Sequence, residues 1–297
     1  MSASSIQLIN TATAKSFPAA PQGRVLSSSV DLGWRGITVE LHSLPGSEYP
    51  EHYVQGHRLA IMRRGKPITY EWKKAGRWKS RQTHPGTFFL QSHGEPNTPR
   101  WFEPFEIVAI AIEPDFIAQC FQDAIDCSSI RFLERRAAYD PNIANFAAHF
   151  KTELTNSNYG GVLYGESLAL AFSLLLLEQH SESSPTLPKG KLSSWQLREI
   201  IEYIHTYLDT GLSLTELATQ LNLSTFHFAR LFKKSLGLSP HKYILQTRIE
   251  RAKRLIVSQR LPLSNIALQA GFYDQTHFSK AFKKYVGISP KAFSKSA

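Results

Sequence analysis

The stretch HFARLFKKSLGLSP at residues 227–240 recurs, with few changes, as HFSKAFKKYVGISP at residues 277–290. Histidine, phenylalanine, the Lys-Lys pair and the Gly-x-Ser-Pro ending keep their places in both copies. Two copies are too few for a solenoid, which needs about three repeats to bury its stacked faces. The repeat therefore predicts one structural unit that is used twice on a partner which itself repeats.

Each copy has the pattern of a short helix, a tight turn and a second helix. Apolar residues in the second helix recur at the i, i+3, i+4 spacing of one helix face, as Phe228, Leu231 and Phe232 and again as Phe278, Ala281 and Phe282. Ser224 and Asp274 precede these helices as N-caps, and Gly237 and Gly287 follow them as stops.

The face opposite the apolar stripe carries side chains suited to nucleic acid. In the first copy these residues are Thr225, Phe226, Ala229, Arg230 and Lys233, and in the second they are Gln275, Thr276, Ser279, Lys280 and Lys283. Hydroxyl, amide, guanidinium and ammonium groups form hydrogen bonds with base edges and phosphates. A helix with such groups, preceded by a helix and a turn, is typical of the helix-turn-helix.

A helical pattern from about Pro240 to Ser258 separates the two copies. Its length is roughly 27 Å at 1.5 Å per residue. Duplex DNA presents its major groove about every 34 Å along one face. The sequence therefore predicts two recognition helices that enter successive grooves, with double-stranded DNA as the partner.

The charge distribution favours the same interpretation. Residues 191–297 contain 16 Lys and Arg against 6 Asp and Glu, whereas residues 1–190 contain 18 of each class. The whole net charge of +10 thus belongs to the last third of the chain. Such asymmetry indicates a polyanion-binding module joined to a neutral one.

Residues 193–297 resemble the C-terminal domain of AraC/XylS-family transcriptional regulators. The doubled unit, RIERAKRLI at residues 248–256 and IALQAGFYDQTHFSKAFKKYVGISP at residues 266–290 carry the resemblance. The resemblance implies a seven-helix domain with two helix-turn-helix subdomains, base contacts from both recognition helices, and control of transcription with RNA polymerase as a partner. Ala229 departs from the family, where a polar residue is common, so Phe226 is expected to meet a thymine methyl instead.

The first part of the chain has strand patterns followed by helical ones. RGITVEL from Arg35, PITYEW from Pro67, GTFFL from Gly86 and EIVAIAI from Glu106 predict strands, and three helical patterns follow from Asp115. The expected fold is α+β. It comprises a cupin-like β-barrel sensor at residues 1–114, a helical dimerisation segment at 115–180, a Ser/Pro/Gly-rich linker at 181–192 and the all-α DNA-binding domain at 193–297.

Many relatives of the resembled family bind a small effector in such a barrel and dimerise through the helices after it. By this resemblance we expect a small-molecule effector, whose binding residues the sequence does not reveal, and a homodimer. A cupin metal site would use histidines and a carboxylate, and the histidines here are His52, His57, His84 and His93, beside Glu51. Because no tight His-x-His pair occurs, we expect no bound metal. We also expect no other cofactor and no catalytic residue.

Three other functions are left open beside a ligand-responsive regulator. The runner-up is a cupin-type metalloenzyme fused to a DNA-binding tail. A DNA-repair alkyltransferase would need a reactive cysteine, and Cys120 and Cys127 stand in neither a Cys-rich nor a Pro-Cys-His setting. An architectural protein would bind DNA by charge alone, with a steep salt dependence.

The sequence also bears on location. The start of the chain lacks a basic stretch followed by an apolar core, so no secretory signal is expected. The longest apolar run, around residues 167–179, is short for the ~20 residues of a membrane span. Two cysteines cannot form a disulfide framework. We expect a cytoplasmic protein without a membrane partner, and the sequence does not distinguish an activator from a repressor.

Overall fold

A computed structural model describes residues 4–121, 130–155, 161–182, 190–258 and 261–296. The chain divides into two compact units. The first consists of Met1–Asn158 with Leu168–Thr186, and the second of Tyr159–Ser167 with Leu187–Ala297. Most of the predicted linker, at residues 183–189, lies outside the described residues, as does Cys127.

The first unit is rich in strands. They are β1 (Gln7–Asn10), β2 (Ser16–Pro18), β3 (Arg24–Ser28), β4 (Ile37–Leu44), β5 (Ser47–Glu48), β6 (His52–Tyr53), β7 (His57–Arg64), β8 (Ile68–Lys74), β9 (Arg77–Thr83), β10 (Thr87–Gln91), β11 (Pro99–Trp101), β12 (Phe105–Ile112) and β13 (Arg135–Tyr139). The four strands predicted from the sequence overlap β4, β8, β10 and β12, and three of them begin one or two residues too early.

These strands form three antiparallel sheets among the described residues. The largest sheet has six strands in the order β13-β10-β7-β12-β4-β3, the second has the order β5-β11-β8-β9, and the third has the order β2-β1-β6. The pairing does not close into one ring, so the closed barrel expected from the sequence is not found in the described part of the chain. The coarser expectation, a β-rich first unit before an all-α domain, is confirmed.

Alternation along the strands builds the core of this unit. On β7, Ala60 and Met62 point to the same side as Arg58, because side chains on a strand alternate with a period of two. Ala60 and Met62 belong to a buried hydrophobic cluster that also contains Tyr70 of β8 and Trp101 of β11. The six-stranded and four-stranded sheets therefore share one hydrophobic core.

Three helices accompany the strands in the described ranges: α1 (Pro114–Phe121), α2 (Pro141–Thr155) and α3 (Gly161–His180). Helix α3 is longer than the apolar run in the sequence indicated, and by length and composition it would suffice to cross a membrane. Half of its most apolar window is buried within the protein, and Phe172 packs against Phe146 and Phe150. These contacts are typical of a core helix.

Strand β13 lies in the segment expected to be helical. It pairs with β10 through an irregular register, and Ala137 has a φ of 52°. Its sequence, RRAAY, has neither β-branched residues nor alternation, so the strand depends on the edge that β10 offers rather than on local propensity.

The second unit contains seven helices among its described residues, as the family resemblance implies. They are α4 (Ser194–Thr206), α5 (Leu214–Gln220), α6 (Thr225–Leu236), α7 (Pro240–Ser258), α8 (Leu263–Gln269), α9 (Gln275–Val286) and α10 (Pro290–Ser296). Each copy of the repeat is a helix pair, α5–α6 or α8–α9, and α7 lies between the pairs in the chain. Ile249, Ala252 and Ile256 of α7 share a buried cluster with Phe278 and Phe282 of α9.

Candidate nucleic-acid interface

The first helix-turn-helix is fixed by its caps. At the start of α5, the Ser213 hydroxyl accepts a hydrogen bond from Glu216 N, and Glu216 accepts one from Ser213 N in return. This reciprocal pair satisfies two amides that the helix itself leaves without partners. Asn222 turns the chain with a φ of 51°, and Ser224 then caps α6 by accepting from His227 N.

The second helix-turn-helix depends on a glycine and an aspartate. Gly271 follows α8 with a φ of 91°, and a Cβ at this position would overlap the Leu208 carbonyl oxygen. Only glycine allows the turn to approach the loop after α4 so closely. Asp274 then caps α9, accepting a hydrogen bond from His277 N at 2.6 Å.

The structure places the predicted DNA-contacting residues of α9 at the surface. Gln275, Thr276, Lys280 and Lys283 are exposed, and Ser279 is partly exposed. The stripe of Phe278, Ala281 and Phe282 is buried, as the periodicity predicts. The first turn of α9 and the residues just after it thus present an amide, a hydroxyl and an ammonium group to solvent.

Helix α6 differs from α9. Phe226 has only 4% of its surface exposed, so it belongs to the buried part of the structure and its ring is not available to a thymine methyl. The sequence prediction for Phe226 was wrong because a phenylalanine beside a polar face fits either side of a helix, and only packing decides. Thr225, Ala229 and Arg230 are all partly exposed, and Lys233 is exposed.

One cation that the sequence grouped with the positive surface has a structural role. The Arg248 guanidinium on α7 donates from Nε to the Leu208 carbonyl at 3.0 Å and from Nη2 to the Thr210 carbonyl at 2.8 Å. Burial lowers the pKa of Arg248 to about 10, although nearby Asp209 opposes the shift. Arg248 stays charged at neutral pH and holds the loop after α4 against α7.

The imidazoles near the second unit's core are neutral at physiological pH. Burial, and then the positive charge of Arg248, lower the pKa of His277 and of His241 to about 4. The positive charge offered to a polyanion therefore comes from lysine and arginine. Exposed examples are Lys233 and Lys234 at the end of α6 and Lys283 and Lys284 at the end of α9.

The histidines of the first unit do not assemble a metal centre. Within the described residues, no group of three or more His, Cys, Asp or Glu side chains is placed to hold a metal ion. His52 Nδ1 forms a hydrogen bond with the Pro50 carbonyl oxygen, and His57 Nδ1 accepts a hydrogen bond from His93 N. Burial lowers the pKa of His52 and His57 to about 4, so both are neutral at pH 7.

The comparison with known proteins matches the second unit. Residues 217–296 fit a family model described as "Helix-turn-helix domain". The chain is 37% identical over 116 residues to the Msm operon regulatory protein of Streptococcus mutans, covering 39% of this chain and 40% of that protein. It is 30% identical over 147 residues to the Arabinose operon regulatory protein of Escherichia coli, covering 49% of each.

A solved structure, the C-terminal domain of AraT, a response regulator from Geobacillus stearothermophilus, is 33% identical, with 36% of this chain and 89% of that chain covered and a TM-score of 0.35. The chain spans less than half the length of the curated relatives it matches. The family model covers the doubled helix-turn-helix from Leu217 of α5 to Ser296 of α10. This part of the chain is thus a helix-turn-helix domain similar to the C-terminal domains of AraC-type transcriptional regulators.

Proposed function

We propose that the protein is a sequence-specific DNA-binding regulator of transcription whose first unit responds to a small-molecule effector. The repeated unit carries the proposal, because α6 and α9 each follow a short helix and a tight turn in the basic third of the chain. Two copies separated by α7 suit the repeat of the major groove along duplex DNA.

The proposed DNA contacts are divided between base edges and phosphates. Exposed Gln275, Thr276 and Lys280 near the start of α9 suit base reading, whereas Lys283 one turn later suits a phosphate. On α6 we assign the DNA contacts to Thr225, Ala229, Arg230 and Lys233, and we leave out the buried Phe226. Because α6 offers fewer exposed polar groups than α9, we expect the second copy of the repeat to contribute more to specificity.

Other parts of the proposal come from the family. The similarity to this family suggests a cupin-like sensor role for the strands, a homodimer through the helices of residues 115–180, contact with RNA polymerase and a cytoplasmic location. The domain limits 1–114, 115–180, 181–192 and 193–297 are part of the same proposal.

A cupin-type metalloenzyme fused to a DNA-binding tail is the second candidate. No cluster of metal-binding side chains in the described residues supports it. Metal analysis of the purified protein tests it directly: iron, zinc or manganese bound in equal amount to protein would favour the enzyme.

DNA binding by the purified protein tests the main proposal. Fragments from upstream of its own gene and neighbouring genes are footprinted over a salt series, with competitor DNA present. We expect a protected site of about two adjacent major grooves per protein. Uniform coating of all fragments, with a steep salt dependence alone, would show an architectural protein instead.

Variants then test the base-reading face. Lys280→Ala on α9 is expected to weaken specific binding about tenfold, equivalent to roughly 1–2 kcal/mol, and to weaken non-specific binding less. Lys15→Ala, which removes one exposed charge from the first unit, is the control and should leave both unchanged. Equal losses on specific and non-specific DNA for Lys280→Ala would place that residue on the phosphates.

A further inference from the structure

The first unit contains a cavity lined by both of its larger sheets. Its walls include Arg58 and Ala60 on β7, Tyr70 on β8, Trp101 on β11 and Arg136 on β13. The cavity volume is about 40 Å³. This is room for roughly three water molecules, so a larger ligand enters only if wall side chains rotate.

The wall of the cavity includes Arg58, whose Nε has no hydrogen-bond acceptor in the described part of the chain. The Nε of Arg58 is buried and has no hydrogen bond, and no ion pair of Arg58 occurs among the described residues. A guanidinium away from water is costly unless an acceptor satisfies it. Arg58 as a whole is only partly buried, but its Nε lacks an acceptor, and an anion in the adjoining cavity would supply one.

The second arginine in the cavity wall is already neutralised. Arg136 donates from Nε to Glu134 Oε1 at 2.8 Å and pairs with the same carboxylate through Nη2. Its side chain is 8% exposed. Glu134 thus pairs with Arg136, whereas the described residues contain no ion pair for Arg58. The buried acceptor oxygens of Gln91 and Asn97 also have no hydrogen-bond partner within the described ranges.

The rest of the cavity wall is aromatic. Tyr70 and Trp101 lie nearly parallel, with an interplanar angle of 9° and ring centroids 6.3 Å apart. Phe89 contacts Tyr70 at a centroid distance of 4.1 Å, and Tyr49 contacts Trp101 at 5.0 Å. Flat apolar walls favour a planar or slender apolar body, because aromatic rings stack against such groups.

We propose that this cavity binds a small organic carboxylate, with its carboxylate paired to Arg58 and its apolar body against Tyr70 and Trp101. One guanidinium without an ion pair in the described residues fits a monoanion better than a phosphate. The unpaired oxygens of Gln91 and Asn97 suit a hydroxyl or N–H group on the same ligand. The identification of this ligand as the effector rests on the proposed function, whereas the binding site itself does not.

Binding to the full-length protein tests the site. Phenylacetate, uncharged phenylacetamide and acetate serve as probes, with tryptophan fluorescence and calorimetry as readouts up to roughly 10 mM. We expect saturable binding of phenylacetate that is at least about tenfold tighter than that of phenylacetamide, since a charge-assisted pair is the stronger one. Acetate, which lacks the apolar body, should bind more weakly than phenylacetate.

Substitutions assign the binding to Arg58. Arg58→Met keeps the apolar stem and is expected to weaken phenylacetate binding at least about tenfold while leaving phenylacetamide unchanged. Arg64→Met, at an exposed position on the same strand, is the control and should bind as the unaltered protein does. Should Arg58→Met fail to fold, the charged and uncharged probe pair still decides the question on the unaltered protein.

The outcomes separate this inference from the proposed function. No saturable binding of phenylacetate, or equal binding of phenylacetate and phenylacetamide, overturns the carboxylate site. Unaltered phenylacetate affinity in a folded Arg58→Met protein does the same. Binding that depends on Arg58 but leaves DNA affinity unchanged supports the site and counts against the regulatory role.

Discussion

At the scale of single residues, Gly271 is a position where the surrounding backbone leaves no room for a side chain. It combines a positive φ with so close an approach to Leu208 that an alanine Cβ would overlap the carbonyl oxygen. Gly287 has a similar φ of 89°, and no described atom lies within 4 Å of where its Cβ would be. We expect Gly271→Ala to lower the free energy of unfolding by more than about 2 kcal/mol and Gly287→Ala by about 1 kcal/mol. Urea unfolding of both variants measures the difference, and equal losses would show that the loop after α4 gives way.

Buried histidines give the protein an acid sensitivity that a single residue can report. Burial, then nearby His93, lowers the pKa of His57 to about 4 from an ordinary value near 6.5. Below pH 6.5 the unfolded chain takes up a proton that the folded chain does not. The contribution of His57 is therefore complete above pH 6.5 and declines as the pH falls towards 4.

For the unaltered protein, this residue should account for a loss of about 2 kcal/mol between pH 7 and pH 5. His57→Gln is expected to reduce the pH dependence of unfolding by that amount, and His205→Gln, at an exposed position on α4, should not change it. Unfolding free energies at the two pH values decide. An unchanged pH dependence in His57→Gln would mean that the imidazole is hydrated in the folded state.

At the scale of elements, the caps determine where the recognition helices begin. Asp274 accepts a hydrogen bond from His277 N and so fixes the first turn of α9, which carries Gln275 and Thr276. Asp274→Ala is expected to cost about 1 kcal/mol of stability and Asp274→Asn much less, because asparagine also caps. Thermal unfolding tests both, and a matching loss in the two variants would point to the charge rather than to the cap.

The helical elements could be predicted closely and the sheet edges could not. Ser213, Ser224, Asp274, Gly237 and Gly287 mark helix ends by their own chemistry, so their roles follow from local sequence. Strand β13 and the short strands β5 and β6 form only because a partner strand is available, which no local pattern reveals. The face of α9 followed from periodicity, whereas the burial of Phe226 depended on packing.

The cavity could not be predicted from the sequence either, because its walls are brought together by long-range strand pairing. Arg58, Tyr70 and Trp101 are far apart in the chain and meet only through sheet pairing. Arg58 was not identified from the sequence as part of a site. An arginine at an inward position of an alternating strand, next to Leu59 and Ala60, was the available signal.

At the scale of the whole molecule, the two units interleave along the sequence. The second unit includes Tyr159–Ser167, which contains the start of α3, as well as Leu187–Ala297. There, Glu166 accepts a hydrogen bond from Leu214 N at 2.7 Å, and Tyr164 contacts His241 with ring centroids 4.8 Å apart. The DNA-binding unit is thus completed by residues that precede it in the chain.

Loss of the Glu166 carboxylate should therefore weaken the helix-turn-helix itself. Glu166→Ala is expected to cost about 1.5–3 kcal/mol, since it leaves a buried amide of Leu214 without its charged acceptor. Hydrogen exchange of the α5 amides in the full-length protein provides the measurement, and Glu178→Ala, at an exposed position on the same helix, is the control. Unchanged protection of α5 would show that water replaces the carboxylate.

The membership of α3 in both units has a consequence for recombining this protein with others. A chimera joined within residues 183–189 would contain helices α4–α10 of this protein, but its α3 would come from the protein that supplies the N-terminal part. The incoming α3 would then have to provide a carboxylate at the position of Glu166. Without it, Leu214 N of the transferred helices would lack its hydrogen-bond acceptor. Exchange of the first unit between related proteins would thus favour junctions upstream of residue 159, so that Glu166 stays with the helix whose amide it accepts from.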